Sequence, residues 1–195
     1  MRSRLLLTMA VAGLTLAGAT IQAQTSTWSI DPNHSSVQFQ VRHMGVSNVH
    51  GSLTGVKGTI VLNDADITKS TVEATIDTTT VWTGVAARDK DLKSPHFFDI
   101  EKYPQITFKS TSLSRSNGKL QLTGDLTLNS VTRSVTFDMD GPSAPETGKD
   151  GKVRSGFSAT GLLKRSDFNF APNTPGVVVG NDVKFTIDVE IDKQK

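Results

Sequence analysis

The sequence predicts an all-β domain, an antiparallel sheet rolled into a barrel or stacked as a sandwich, with one short helix set into it. Three observations carry that prediction. Apolar and polar residues alternate with period two through most of the chain. Turn-forming clusters such as "SNGK" at 116–119 separate the alternating runs. One stretch, "RDKDLKSPHFFDIEKYP" at 88–104, breaks the alternation with charges, adjacent aromatics and two prolines.

Taken in order, the first residues lie outside the domain. Arg2 and Arg4 precede the uncharged "LLLTMAVAGLTLAGA", and "IQAQ" offers a small residue for cleavage after Ala23. That is the layout of a secretory signal peptide over 1–23, with the domain at 24–195. The apolar run is short for a membrane span. The periplasm is the expected destination. Of 21 basic residues, Arg2 and Arg4 leave with the leader, so the remainder balances 19 acidic residues. A neutral chain lacks the concentrated positive surface that nucleic-acid binding needs. Cysteine is absent, so core packing alone must stabilise the domain.

The strands follow. In "SVQFQVRH", Val37, Phe39 and Val41 share one face, and His43 is next in that register. "GTIVLN", "STVEATID", "PQITFKSTSL", "KLQLTGDLTL", "RSVTFDMD" and "SGFSATGLL" repeat the pattern, and "DVKFTIDVEI" closes it most cleanly. These make about eight strands, rich in Val, Thr, Ile and Phe. One wet face per strand indicates antiparallel pairing. "DGPSAPETGKDGK" at 140–152 reads as an exposed hairpin loop. Phe39, Phe108, Phe137, Phe157 and Phe185 share inward faces with Ala74, Ala159 and Gly161. Small inward residues either let opposite walls approach or leave a gap for a ligand. Periodicity does not separate barrel from sandwich.

The insert reads as a helix over 84–94, with Thr83 as a cap and Asp89 four residues before Lys93. Pro95 stops it. Val85 and Leu92 fall on one face, and so short a helix must pack on something, which places it at an open barrel end. Phe97 and Phe98 can both turn inward only from an irregular turn, as a plug at the mouth or as core beneath a loop. Arg88 presents a donor fork to an oxygen acceptor, or pairs with Asp99 or Asp91 to fix the insert. Trp82 lines the pocket or packs beneath the helix.

Other chemistry finds little support. His34 and His43 are nine apart, on opposite faces of a regular strand, and no tight histidine pair exists, so no metal is expected. No G-x-S-x-G elbow accompanies "HSS" or "RSD", and Asp167 is expected to cap a turn or pair with Arg165. Neither a cofactor nor catalysis is expected.

"DPNHSSVQFQVRHMGVSNVHGSL" at 31–53, the long run at 70–111, "LTGDLTLNSVTRSVTFD" at 122–138 and "RSDFN" at 165–169 resemble the YceI-like family over nearly the whole mature chain. The resemblance implies an extended, lipocalin-like, eight-stranded antiparallel barrel with the helical insert at its mouth. It also implies a cavity for a polyisoprenoid, isoprenoid quinone or fatty lipid, a periplasmic location and, in some members, a link to stress. The ligand-lining candidates are then Phe39, His43, Trp82, Arg88, Asp89, Leu92, Phe97, Phe98, Phe108 and Phe168. Asp91, Asn129-Ser130 and Asn169 depart from the His, His-Gly and Gly common in the family. Each buried methylene contributes ~0.8 kcal/mol, so a tail of about twenty carbons gives on the order of 16 kcal/mol gross. Transient membrane contact for ligand exchange and a homodimer are further expectations, and a sandwich interaction domain or an enzyme acting on such a lipid are the alternatives.

Overall fold

The computed structural model describes residues 24–195; the leader assigned to 1–23 lies outside the described residues. Eleven strands and one α-helix follow one another. They are β1 (Thr25–Ile30), β2 (Ser36–His43), β3 (Ser47–Leu53), β4 (Lys57–Asn63), β5 (Thr71–Asp77), α1 (Ala86–Lys93) and β6 (Gln105–Ser116). Then come β7 (Lys119–Leu128), β8 (Val131–Asp140), β9 (Glu146–Thr147), β10 (Val153–Lys164) and β11 (Val179–Lys193). All pairings are antiparallel, and β11 bonds to β10 on one edge and to β1 and β2 on the other, which closes the sheet.

Eleven strands make eight staves. β1 and β2 lie end to end along one edge of β11, with Trp28 opposite Lys193 and Phe39 opposite Phe185. β3 and β4 lie end to end along those two in turn. β9 continues β8 along the edge of β10. The short strands at 25–30, 47–53 and 146–147 escaped the sequence reading because their alternation is short or carries Gly, Ser and Asn. The loop at 140–152 is not a free hairpin. Ser143 is tied to β10 by its N–H to the Gly156 carbonyl at 2.9 Å and by the Ser155 hydroxyl to its own carbonyl at 2.8 Å. Closure sets aside the sandwich alternative.

The staves bury one continuous core. One end is filled solid by Trp28, Ile30, Leu113, Leu120, Leu122 and Ile191. At mid-height Phe108, Phe137 and Phe185 form an aromatic layer, with ring centroids 5.3 and 5.2 Å apart in sequence and the second pair edge-on. Glycine makes room for these rings. A Cβ on Gly161 would lie 2.4 Å from Phe185 Cζ, one on Gly124 2.4 Å from Phe108 Cζ, and one on Gly51 2.3 Å from Phe39 Cζ. The small inward residues therefore hold phenyl rings flat against the wall.

Above the layer the wall parts. β8 bonds to β10 only through Asp138–Asp140, so the rest of β8 and the last residues of β10 diverge. The 3₁₀ turn Arg165–Phe168 covers the gap, with Phe168 almost fully buried.

Candidate functional site

The open end of the barrel holds a two-part funnel. Its inner chamber, about 160 Å³, stands on Phe137 and Phe185. Its walls are inward residues of the staves, Phe39 and Val41 from β2, Leu126 and Leu128 from β7, Val183 and Ile187 from β11. Leu92, Phe97, Phe98, Phe168 and Phe170 complete it from the loops. The outer vestibule, about 570 Å³, is bounded by β2, β3, α1 and the segment 172–179. Phe39, Val41, Leu92, Phe97 and Val179 line both parts, so these five side chains form the neck. Apart from Arg165 in the inner chamber, the charged and histidine side chains lie in the outer part, where Arg42, His43, Arg88, Asp91 and His96 line the vestibule.

The insert at 84–104 is a lid over this end. α1 spans 86–93, shorter than the 84–94 expected. Thr83 does not cap it; the cap position is Val85, without a side-chain bond. Instead Thr83 is the anchor. Its N–H and hydroxyl donate to the Asp89 carboxylate, and it accepts from Arg88, Nε to Oγ1 at 2.8 Å and Nη2 to the carbonyl at 2.9 Å. Arg88 thus pairs with neither Asp99 nor Asp91, and Asp89 is engaged with Thr83 rather than Lys93. Arg88 still reaches the vestibule, and its Nη1 has no protein acceptor among the described residues. Only Leu92 of the expected apolar pair packs on the core, because Val85 stays half in water.

After Pro95 the chain makes a tight irregular turn. Asp99 takes a left-handed φ of +48°, and its N–H donates to the Ser94 carbonyl at 2.9 Å. This reversal is what sends two adjacent phenylalanines inward. Phe98 is buried in the core cluster, Phe97 is half-buried at the neck, and both meet Phe170, at 4.9 and 6.0 Å. They serve as plug and as core at once. Asn129 latches the turn, its Nδ2 donating to the Phe97 carbonyl at 2.6 Å. Asn129 and Ser130 both have positive φ, as a two-residue type I′ hairpin turn requires. Asn169 likewise takes φ +51°, which asparagine tolerates better than most residues.

Three candidates stand apart from the funnel. Trp82 is 62% exposed, its backbone paired with Ser52, so it lies neither in the pocket nor under the helix. Phe108 packs in the aromatic layer and lines neither chamber. Asp89 anchors the lid from behind. The remaining seven, Phe39, His43, Arg88, Leu92, Phe97, Phe98 and Phe168, converge on the funnel.

Arg165 was missed as a site residue. It is 9% exposed, and each of its three guanidinium nitrogens donates to backbone carbonyls, among them Ala171 at 2.7 Å and Thr174 at 2.6 Å. It does not pair with Asp167. It organises the 170–180 segment that forms one side of the mouth.

His34 lies away from His43. Its Nδ1 is 2.8 Å from Asp31 and 3.7 Å from Glu190. The hydrogen bond to Asp31, then the charges of Asp31 and Glu190, raise the His34 pKa, and the same bond lowers that of Asp31. Ligand atoms of Asp31, His34 and Glu190 lie within 4.8 Å of one another, and Arg154 Nε sits 3.3 Å from Glu190 and 3.1 Å from Asp192.

Comparison with known proteins agrees with this architecture. The YceI-like domain profile matches residues 28–191. Protein YceI of Escherichia coli O157:H7 is 37% identical over 188 residues, covering 94% of this chain and 97% of its own length. A UPF0312 protein of Pectobacterium atrosepticum is 34% identical over the full length of both chains. The crystal structure of the Campylobacter jejuni YCEI protein superposes with a TM-score of 0.69 at 28% identity, over 96% of this chain and all of that one. A polyisoprenoid binding domain from Saccharophagus degradans, at 15% identity, shares the fold with a TM-score of 0.64 over 86% of this chain and 98% of its own. A closed eight-stave barrel with a lidded apolar chamber, matched along nearly its whole length, places this chain in the YceI family.

Proposed function

We propose that this protein binds and carries a long-chain amphiphile, a polyisoprenoid, isoprenoid quinone or similar lipid, in the periplasm after removal of its leader. The funnel is the observation that carries the reading. A chamber lined by hydrocarbon side chains apart from Arg165 stabilises a buried chain at ~0.8 kcal/mol per methylene. The polar vestibule suits the head group, which orients the ligand rather than setting its affinity. The fold shared with a domain named for polyisoprenoid binding supports the same ligand class.

Size refines the reading. A cavity of about 150 Å³ takes one benzene, so the inner chamber holds only about six carbons. A chain of about twenty carbons must also run through the neck and into the vestibule. The end of the chain would then sit on the phenylalanine layer, with the head group near Arg88 and His43.

Binding rather than turnover is what the site favours. Arg165 is the one charged side chain lining the chamber, and its nitrogens are engaged by backbone carbonyls. The deciding experiment is mass spectrometry of the organic extract from protein purified without detergent. A stoichiometric long-chain lipid is expected. An empty extract, together with no saturable uptake of a fluorescent polyprenyl probe, would overturn the proposal.

A further inference from the structure

Among the described residues six large apolar side chains are left exposed, and three of them gather at the mouth. Met44 and Val46 are 50% and 79% exposed at the turn between β2 and β3, and Val177 is 68% exposed in the segment leading to β11. The Met44 N–H donates to the Val178 carbonyl at 3.0 Å, which brings the two segments together beside the vestibule. They form an apolar rim around its entrance.

The turn itself is unusual. Met44 and Gly45 have φ of +53° and +69° in the three-residue connection from His43 to Ser47, closed by the Val46 N–H on the His43 carbonyl at 3.0 Å, and two successive positive φ values in a hairpin turn normally take Asn-Gly or Asp-Gly. The chain follows that preference elsewhere, with Asn117-Gly118 and Asn129-Ser130. Methionine in the left-handed region strains the backbone, and here it also holds a large apolar group in water. Neither local conformation nor core packing asks for it. A residue that breaks a local rule without a folding benefit marks a functional position.

Charge says what the rim meets. Residues 42–50 and 170–181 contain Arg42, His43 and His50 and no Asp or Glu. Behind them, Arg88 and His96 face a single carboxylate, Asp91. Apolar tips backed by the guanidinium groups of Arg42 and Arg88 match the boundary between anionic head groups and acyl chains.

We propose that this rim docks on a lipid bilayer bearing anionic head groups. Met44, Val46 and Val177 enter the head-group region, Arg42 rests on phosphates, and the vestibule opens onto the membrane. The inference builds on the lipid-carrier reading, since docking there lets a chain pass between bilayer and barrel without crossing water.

Flotation of the purified protein with vesicles tests it, using phosphatidylcholine alone or mixed with phosphatidylglycerol. Binding is expected to the mixed vesicles, weaker to phosphatidylcholine, and reduced by salt. Met44→Asn/Val46→Thr should lower the partition coefficient by about tenfold or more while keeping the melting temperature, because Asn suits the turn. Val46→Trp should raise it. Leu162→Thr removes exposed apolar area from the outer wall and should leave it unchanged. Failure of the wild type to float, or equal flotation of the double variant, would overturn the proposal. So would a rim that instead joins two copies, seen as a wild-type dimer that the double variant makes monomeric without any vesicle binding. Titration with farnesol in the absence of vesicles separates the two readings. Probe binding without flotation removes the docking surface alone, and flotation without probe binding removes the carrier reading alone.

Discussion

At the scale of single residues, the mouth depends on polar side chains whose partners are backbone atoms. Arg165 is the clearest. Its nitrogens satisfy carbonyls at Phe170, Ala171, Thr174, Val179 and Gly180, which no other side chain reaches among the described residues. Arg165→Met leaves buried acceptors unpaired and should destabilise the protein by about 3 kcal/mol, measured by urea unfolding. A loss as small as that of an average surface substitution would show that the segment finds other partners. The pattern "RSD" shows an arginine and an aspartate in reach of each other, so a turn cap or an ion pair is the natural expectation for Asp167. What the sequence does not display is that a loop some ten residues on wraps its carbonyls around the guanidinium. His34 gives a prediction with a sign. Its pKa is raised in the folded protein by Asp31 and Glu190, with Arg154 opposing weakly. Its contribution is therefore complete below its ordinary pKa of about 6.5 and disappears as pH rises through the higher folded value. The melting temperature of the wild type should fall relative to that of His34→Gln between about pH 6 and about pH 8. Parallel curves would show that the pair is screened at the surface.

At the scale of elements, each glycine opposite a phenylalanine is a packing device. The ring of Phe39 lies over Gly51 on the neighbouring strand, and the ring of Phe108 lies over Gly124. Gly51→Ala and Gly124→Ala should each cost about 1–3 kcal/mol through overpacking. Only the first should also weaken binding of a prenyl probe, because Phe39 stands at the neck and Phe108 lies beneath the floor. Equal effects on affinity would mean that the chamber extends past the phenylalanine layer. Strand positions and inward faces were legible because period two is a direct readout of a one-sided sheet. The lid was legible as an interruption, and its plug residues as adjacent aromatics beyond a proline. Its anchoring was not, since Thr83, Arg88 and Asp89 offer several pairings that only the turn geometry resolves. Trp82 shows the limit from the other side. A large aromatic is usually buried, but a backbone pairing with β3 holds this one outward.

At the scale of the whole molecule, the funnel sets a length rule for the proposed ligand. With about six carbons in the chamber and about twenty in the vestibule, affinity should climb from geranyl to geranylgeranyl chains and level off near twenty-five carbons. Fluorescence titration of a homologous prenyl series measures this. A plateau at ten carbons would confine the ligand to the inner chamber. The eight-stave count emerged from the sequence together with the family resemblance, because alternation alone leaves barrel and sandwich degenerate. Closure is a property of which edges meet, and edges carry no local signature.

The fifteen-residue β11 is the stave on which closure turns, bonding to β10 on one side and to both β1 and β2 on the other. Trp28 finds its partner at Lys193, almost the whole chain away. Contacts of that sequence separation slow folding, since loop-closure entropy must be met before they form. No barrel can exist on a ribosome that has yet to release this strand. The barrel therefore stays open until β11 is in place, and its apolar interior forms only when this stave joins both of its neighbours.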